Sequence, residues 1–325
     1  MANSHPPVGF LLHPASPLHD TGWGHPEHQG RLRALASAVS RDLLALHDGV
    51  VQIDPGEATE DDLLRVHTPK HLASIRQAAE HAETENRLVR IDGDTIASPE
   101  TWRAALGSTA ALLTAVERVA DGTLSSAFVA TRPPGHHATP DRAMGFCFVN
   151  HVAVAARWLQ AKGYAQRVLI IDWDVHHGNG TQDTFYGDGT VFYLSLHQWP
   201  HYPGTGTASD VGVGAGEGWT LNVPLPADTP AKSYLKHYWK AVDIALDRCR
   251  PDFILISAGF DVMLGDPLGN MRLEPGDLYE LTSGLLERAS GRAPVVAALE
   301  GGYDVTRTGL GVAAVLRALT GIALD

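Results

Sequence analysis

The chain has 325 residues, 44% hydrophobic and 19% charged, which suffices for a full core and excludes a disordered tail or a small disulfide scaffold. Lys plus Arg number 25 against 37 Asp plus Glu, a net charge of -12, so the surface repels nucleic-acid phosphates and anionic lipids and favours a cationic substrate or partner. The two cysteines, Cys147 and Cys249, form no CxxC pair, which excludes a disulfide framework and a sulfur-rich zinc module and fits a reducing compartment.

In chain order, the N-terminus lacks a basic segment, and its apolar run 8–12 is too short for a signal core or a membrane span. A cytoplasmic protein is expected. Apolar residues at helical spacing then predict helices over 99–120, 151–161, 231–249, 275–289 and 307–320. Between them, runs rich in β-branched residues predict buried parallel strands over 126–131, 167–172, 191–196, 253–258 and 295–299. Such alternation implies a doubly wound α/β sandwich. No linker, repeat or charge run divides it, so one domain over 1–325 is expected. The glycine-rich stretch 203–218 completes neither a dinucleotide fingerprint nor a phosphate loop and reads as a folded loop.

Seventeen histidines are present, and imidazole is both a common metal ligand and the side chain that titrates nearest neutral pH. Four of the five strands run into ionisable residues: Arg132-Pro-Pro-Gly-His136-His137, Asp172-Trp-Asp174-Val-His176-His177-Gly-Asn179, Gly-Phe-Asp261 and Glu300-Gly-Gly-Tyr303. Ligands of open α/β sheets bind beyond the carboxyl ends of the strands, so these groups converge on one cleft. Asp172, Asp174 and His176 alternate with Trp173 and Val175, and extended backbone puts all three on one face. A carboxylate and an imidazole from this segment, with Asp261, make a catalytic zinc shell, although oxygen ligands also admit iron(II) or cobalt(II). His136 and His137, behind a stiff Pro-Pro-Gly turn, read as proton-transfer groups with Asp172 and Asn179 as tuning partners. Tyr303, after two glycines, reads as a phenol donor to an oxyanion.

Taken in order and spacing, these blocks resemble the histone deacetylase and acetylpolyamine amidohydrolase family. Gly24-His-Pro-Glu27, Gly145-Phe-Cys-Phe148, Ser195-Leu-His197, Pro203-Gly-Thr-Gly206 and Asp266-Pro-Leu268 extend the likeness over nearly the whole chain. The resemblance implies the arginase-deacetylase fold, a central eight-stranded parallel sheet between helices with a metal at the base of a narrow tunnel. It implies zinc on Asp174, His176 and Asp261, and a structural potassium ion involving Asp172, Asp174, His176, Ser195 and Leu196. It makes His137 the general base and then acid, His136 an electrostatic partner backed by Asp172, and Tyr303 the group that polarises the amide carbonyl. The resemblance also implies that Gly145, Phe146 and Tyr202 line the tunnel, where aromatic faces favour an alkyl chain with a cation at its outer end.

Asn179 stands where one branch of the family has Asp, so His137 lacks a charged partner, as in the branch called class II. Leu268 stands where a polyamine-selective relative carries a glutamate gatekeeper. The segment after Glu27 departs from the usual Pro-Glu-Arg-Leu continuation, and Asp94 is a candidate acceptor for substrate backbone on the rim. The expected reaction is zinc-dependent hydrolysis of an N-acyl amide, with acetyl-lysine side chains or related amines as substrates. The alternatives are an acetylpolyamine amidohydrolase, a manganese ureohydrolase, disfavoured because a binuclear site needs more bridging aspartates, and a catalytically silent acyl-lysine binding module. No nucleic acid or membrane partner is expected, and a homo-oligomer stays open.

Overall fold

The computed structural model describes residues 6–47, 49–289 and 293–324. Its strands are β1 (Val8–Leu11), β2 (Val50–Gln52), β3 (Val89–Arg90), β4 (Ile96–Ala97), β5 (Ser126–Val129), β6 (Val168–Asp172), β7 (Val191–Gln198), β8 (Thr220–Leu225), β9 (Phe253–Ala258) and β10 (Val295–Leu299). Its helices are α1 (Gly30–Arg41), α2 (Leu43–Leu46), α3 (Glu60–Leu63), α4 (Pro69–Thr84), α5 (Thr101–Ala120), α6 (His151–Ala161), α7 (Asn179–Phe185), α8 (Ala231–Cys249), α9 (Pro275–Ala289) and α10 (Val305–Thr320). Among the described residues, eight strands form one sheet in the order β2-β1-β5-β10-β9-β6-β7-β8, and every pairing within it is parallel. Strands β3 and β4 form a separate antiparallel pair.

The central strands are apolar throughout because both faces are covered. Leu169 and Ile171 of β6 enter the core shared with α1, α8, α9 and α10, while Val168 and Ile170 enter the core shared with α4, α5 and α6, the two-residue period of a strand buried on both sides. Helices α6, α8 and α9 span the residues their spacing predicts. The apolar segment at 8–11, read above only for its shortness, is β1, a strand buried along its length. Edge strands β2 and β8 went unpredicted because they are only partly buried and carry no continuous apolar run. The 203–218 stretch is irregular, with one 3-10 turn at Gly214–Gly216. Among the described residues, no helix is long and apolar enough to cross a membrane.

From β6 the chain steps outward through β7 to β8, then returns to the other side of β6 as β9 and moves away again to β10. Such a reversal opens a crevice at the carboxyl ends of the strands. Here it lies between β6 and β9, where Asp172 is in register with Ser257.

Candidate metal centre and tunnel

Four consecutive strands of the sheet, β5, β10, β9 and β6, carry the predicted residues on the segments that leave their carboxyl ends. Strand β6 ends at Asp172, yet the alternation continues beyond it. Trp173 and Val175 pack in the core, whereas Asp174 and His176 join Asp261 from the end of β9. Each of these three buried residues offers a ligand atom within 4.8 Å of the others. His176 Nδ1 lies 3.0 Å from Asp174 Oδ1 and 3.3 Å from Asp261 Oδ2.

This cluster fits a divalent cation on three grounds. Asp261 Oδ2 is buried with no hydrogen-bond donor, a costly state for a carboxylate oxygen left without a cation. Burial and the Asp174 charge push the Asp261 carboxyl up to about 7, the response of two carboxylates crowded without enough positive charge between them. Gly301 borders the cluster, and a Cβ there would lie 2.0 Å from Asp261 Oδ2 and 2.6 Å from Asp174 Oδ2. Its N–H instead donates to Asp174 Oδ2 at 2.8 Å. Two carboxylates and an imidazole form a donor set that zinc accepts.

His136 and His137 leave β5 side by side, their ring centroids 4.0 Å apart, but their environments diverge. His136 Nδ1 donates to Asp172 Oδ2 at 3.0 Å. Burial opposes its charge, but Asp172 and Asp174 prevail and raise it to about 10. His137 Nδ1 donates to Asn179 Oδ1 at 2.9 Å, leaving Nε2 with its lone pair. Burial and the His136 charge hold His137 well below the ordinary histidine value. The first ring is therefore cationic at neutral pH and the second neutral.

A cavity of about 310 Å³ reaches His137 and His176, with Phe146, Tyr202, Tyr303 and Leu268 among its walls and Asp94 also lining it. Tyr202 meets His137 edge to face at 5.1 Å, and Phe146 meets Tyr303 edge to face at 5.8 Å. Gly145 lines the same cavity with φ +57°, and a Cβ there would lie 2.5 Å from the His137 ring. Asp266 Oδ2 accepts the Tyr303 and Asp304 N–H groups at 2.6 and 3.1 Å, fixing the backbone from which the phenol projects. Burial pushes that phenol well above the ordinary tyrosine value, so it is protonated at neutral pH. Ser195 and Leu196 lie on β7, where Ser195 is in register with Asp172 and its hydroxyl is hydrogen-bonded to His197 Nδ1 at 2.9 Å.

Behind the site lies a second polar layer whose role the sequence did not indicate. Glu300 Oε2 accepts from the N–H groups of Gly135 and His136 at 2.7 and 3.1 Å, and its Oε1 accepts from Ser257 Oγ at 3.0 Å. Glu27, Arg31 and Arg132 are wholly buried. Glu27 Oε1 accepts from Arg132 Nε at 2.7 Å and Arg31 Nη1 at 3.1 Å, and Arg31 Nε donates to the Gly302 carbonyl at 2.7 Å. The sequence places Glu300 and Arg132 among the ionisable residues that follow strands and Glu27 in the Gly24-His-Pro-Glu27 block, but assigns none of them a role. His201, also missed, stacks on His176 at 4.9 Å and donates from Nε2 to the Leu268 carbonyl at 2.8 Å.

Residues 25–319, which span every group of this site, match the family described as histone deacetylase domain. The chain belongs to the histone deacetylase family. Histone deacetylase 10, chloroplastic, of Oryza sativa subsp. japonica is 38% identical over 311 residues, covering 91% of this chain and 70% of that protein. A probable deacetylase of Archaeoglobus fulgidus is 33% identical over 300 residues, covering 92% of this chain and 82% of its own. Among solved structures, the HDA15 HD domain superposes with a TM-score of 0.90 at 34% identity, covering 98% of this chain and 89% of that one. The α/β architecture is thus the arginase-deacetylase fold, and the chain is a histone deacetylase-family hydrolase.

Proposed function

We propose that residues 1–325 act as one zinc-dependent catalytic domain that removes acetyl or other short acyl groups from the side-chain amine of acylated lysine. The carrying observation is that Asp174, His176 and Asp261 meet and that His176 lines a cavity also lined by His137 and Tyr303. Zinc held by the two aspartates and His176 would supply Lewis acidity to the acyl carbonyl and to the attacking water. A potassium ion held around Asp172, Asp174, His176, Ser195 and Leu196 belongs to the same reading as a structural partner.

The chain's own residues do the remaining work. His137 Nε2 takes a proton as water attacks the carbonyl carbon, with Asn179 holding the ring in the tautomer that leaves this nitrogen free. The cationic His136, anchored by Asp172, offsets the developing negative charge. The Tyr303 hydroxyl donates to the oxyanion. His137 then returns its proton to the leaving nitrogen, so the C–N bond breaks to release a neutral amine rather than an amide anion. Phe146 and Tyr202 flank the alkyl stem and keep water from it. Leu268 places an apolar side chain in the cavity wall, which supports acyl-lysine over an acylated polyamine. The two buried free thiols are consistent with a reducing compartment such as the cytoplasm.

The test is acetate release from acetyl-lysine peptides and acetylpolyamines, with bound metal measured by elemental analysis. We expect about one zinc per chain, turnover lost on chelation and restored by zinc, and preference for the peptide. A metal-free protein that turns over at full rate, or a metal-loaded one that releases no acid from any of these amides, overturns the reading.

A further inference from the structure

The most exposed large apolar residue among the described ones is Trp23, at 105% of its reference area. It does not sit on a loose loop. Gly22 and Gly24 bracket it with φ +88° and +78°, and the turn is pinned on both sides: Gly22 N donates to Asp20 Oδ1 at 2.9 Å, and Thr21 Oγ1 to the Glu27 carbonyl at 2.7 Å. Two residues on, the His25 ring meets Phe146 edge to face at 4.8 Å and its Nε2 donates to the Asp94 carbonyl at 3.0 Å. Phe146 and Asp94 both line the tunnel. Two residues of backbone span at most about 7 Å, so Trp23 belongs to the same surface turn as a residue that packs on the tunnel lining.

We infer that Trp23 is a specificity-determining residue that binds the part of the substrate left outside the tunnel, and that this part is polypeptide carrying a basic side chain beside the acyl-lysine. The inference rests on the deacylase reading above and deepens it. A stem that fills the tunnel must emerge beside Phe146 and Asp94, where a peptide presents its neighbouring residues and a monoamine such as N-acetylbutylamine has no further atoms. An exposed indole face is the best aromatic platform for a cation. The charge nearby agrees: Asp94 lines the cavity, and Asp92 Oδ1 accepts its N–H at 3.1 Å. The net charge of -12 draws the same kind of partner.

The experiment compares Trp23→Ala and Trp23→Phe with the wild type, metal-loaded, on two ligands. One is an acetyl-lysine peptide flanked by arginine. The other is N-acetylbutylamine, which reproduces the stem alone and is measured as a substrate or as a competitive inhibitor. Trp23→Ala should raise KM for the peptide about three- to tenfold with kcat unchanged, Trp23→Phe should recover part of the loss, and the constant for N-acetylbutylamine should not move. A peptide KM unchanged within twofold, or an equal rise for both ligands, overturns the assignment while leaving the deacylase reading intact. A wild-type protein that hydrolyses neither ligand overturns both.

Discussion

Replacing Glu27 tests whether a buried ion network supports the loops on which the site depends. Glu27 has no exposed surface, and one of its oxygens holds two guanidiniums that are themselves fully buried. Arg31 continues to the carbonyls of Gly302 and Glu300, and Arg132 to those of Ser16 and His19, so the carboxylate links the chain before α1 to the segments that leave β5 and β10. In Glu27→Ala both arginines keep their carbonyl acceptors but lose their countercharge. Removing one partner of a buried pair costs about 3–5 kcal/mol, a large share of the 5–15 kcal/mol or so that holds a typical native protein together. At about 2 °C per kcal/mol for a chain of this size, the melting temperature should fall by about 6–10 °C. Glu27→Gln keeps the volume and one acceptor oxygen and should fall in between. The pH dependence has a definite sign: burial opposes the Glu27 charge, but Arg132 and Arg31 prevail and hold its carboxyl below the usual range. Its contribution is therefore complete above the unfolded value near 4.3 and fades as pH drops through the folded value, so the wild type and Glu27→Gln should converge in acid. Thermal melts of the three proteins across pH decide the matter. A Glu27→Ala midpoint within 2 °C of the wild type at neutral pH refutes the reasoning.

Three further outcomes follow from the same geometry. Tyr303→Phe should retain its bound metal by elemental analysis but lose about 10²–10³ in kcat, the usual consequence of removing one oxyanion donor; undiminished turnover removes the role. Leu268→Glu should shift relative kcat/KM toward acetylpolyamines over peptides by up to about fivefold, the upper end for a partly exposed ion pair, and no shift between the two substrates would show that the wall at 268 does not read charge. His151, held down to about 4 by burial against the opposing Pro133 carbonyl, is neutral when folded and charges near 6.5 when unfolded. Its contribution is complete above 6.5 and is lost as pH falls toward 4. His151→Gln should therefore flatten the fall in stability between pH 6 and 4.5 by about 1.4 kcal/mol per pH unit, and identical slopes in urea melts refute it.

The inner fold was legible because a strand buried on both faces must be apolar throughout. Strands β9 and β10 match their predicted spans residue for residue, and β6 differs by one at its start. The edges were not legible for the converse reason: half-exposed, with polar residues and a proline at 224, β8 has no continuous apolar run. Helices α1 and α4 escaped notice although each buries a stripe of apolar residues; charged residues and histidines interrupt the stripe in sequence but not in space. The Asp174 and His176 pair could be read from local alternation, since side chains two apart share a face even where the strand has ended. The charges of Glu27, Arg31 and Arg132 could not, because nothing local distinguishes a buried ion from a solvated one. Only the partner delivered by another element does so.

The adjacent histidines carry that point to its end. They are consecutive in the chain, and no property of the Arg132-Pro-Pro-Gly-His-His segment makes one ring basic and the other not. The difference comes from elsewhere in the chain: Asp172 is the last residue of β6 and Asn179 the first of α7, so a single strand-to-helix connection offers a carboxylate to one ring and a neutral amide to the other. Once His136 is charged, its field depresses His137 further, which widens the gap between the two rings. The opposed protonation states are therefore a property of the β5–β10–β9–β6 arrangement, assembled from strands that are neighbours in the sheet and distant in the chain.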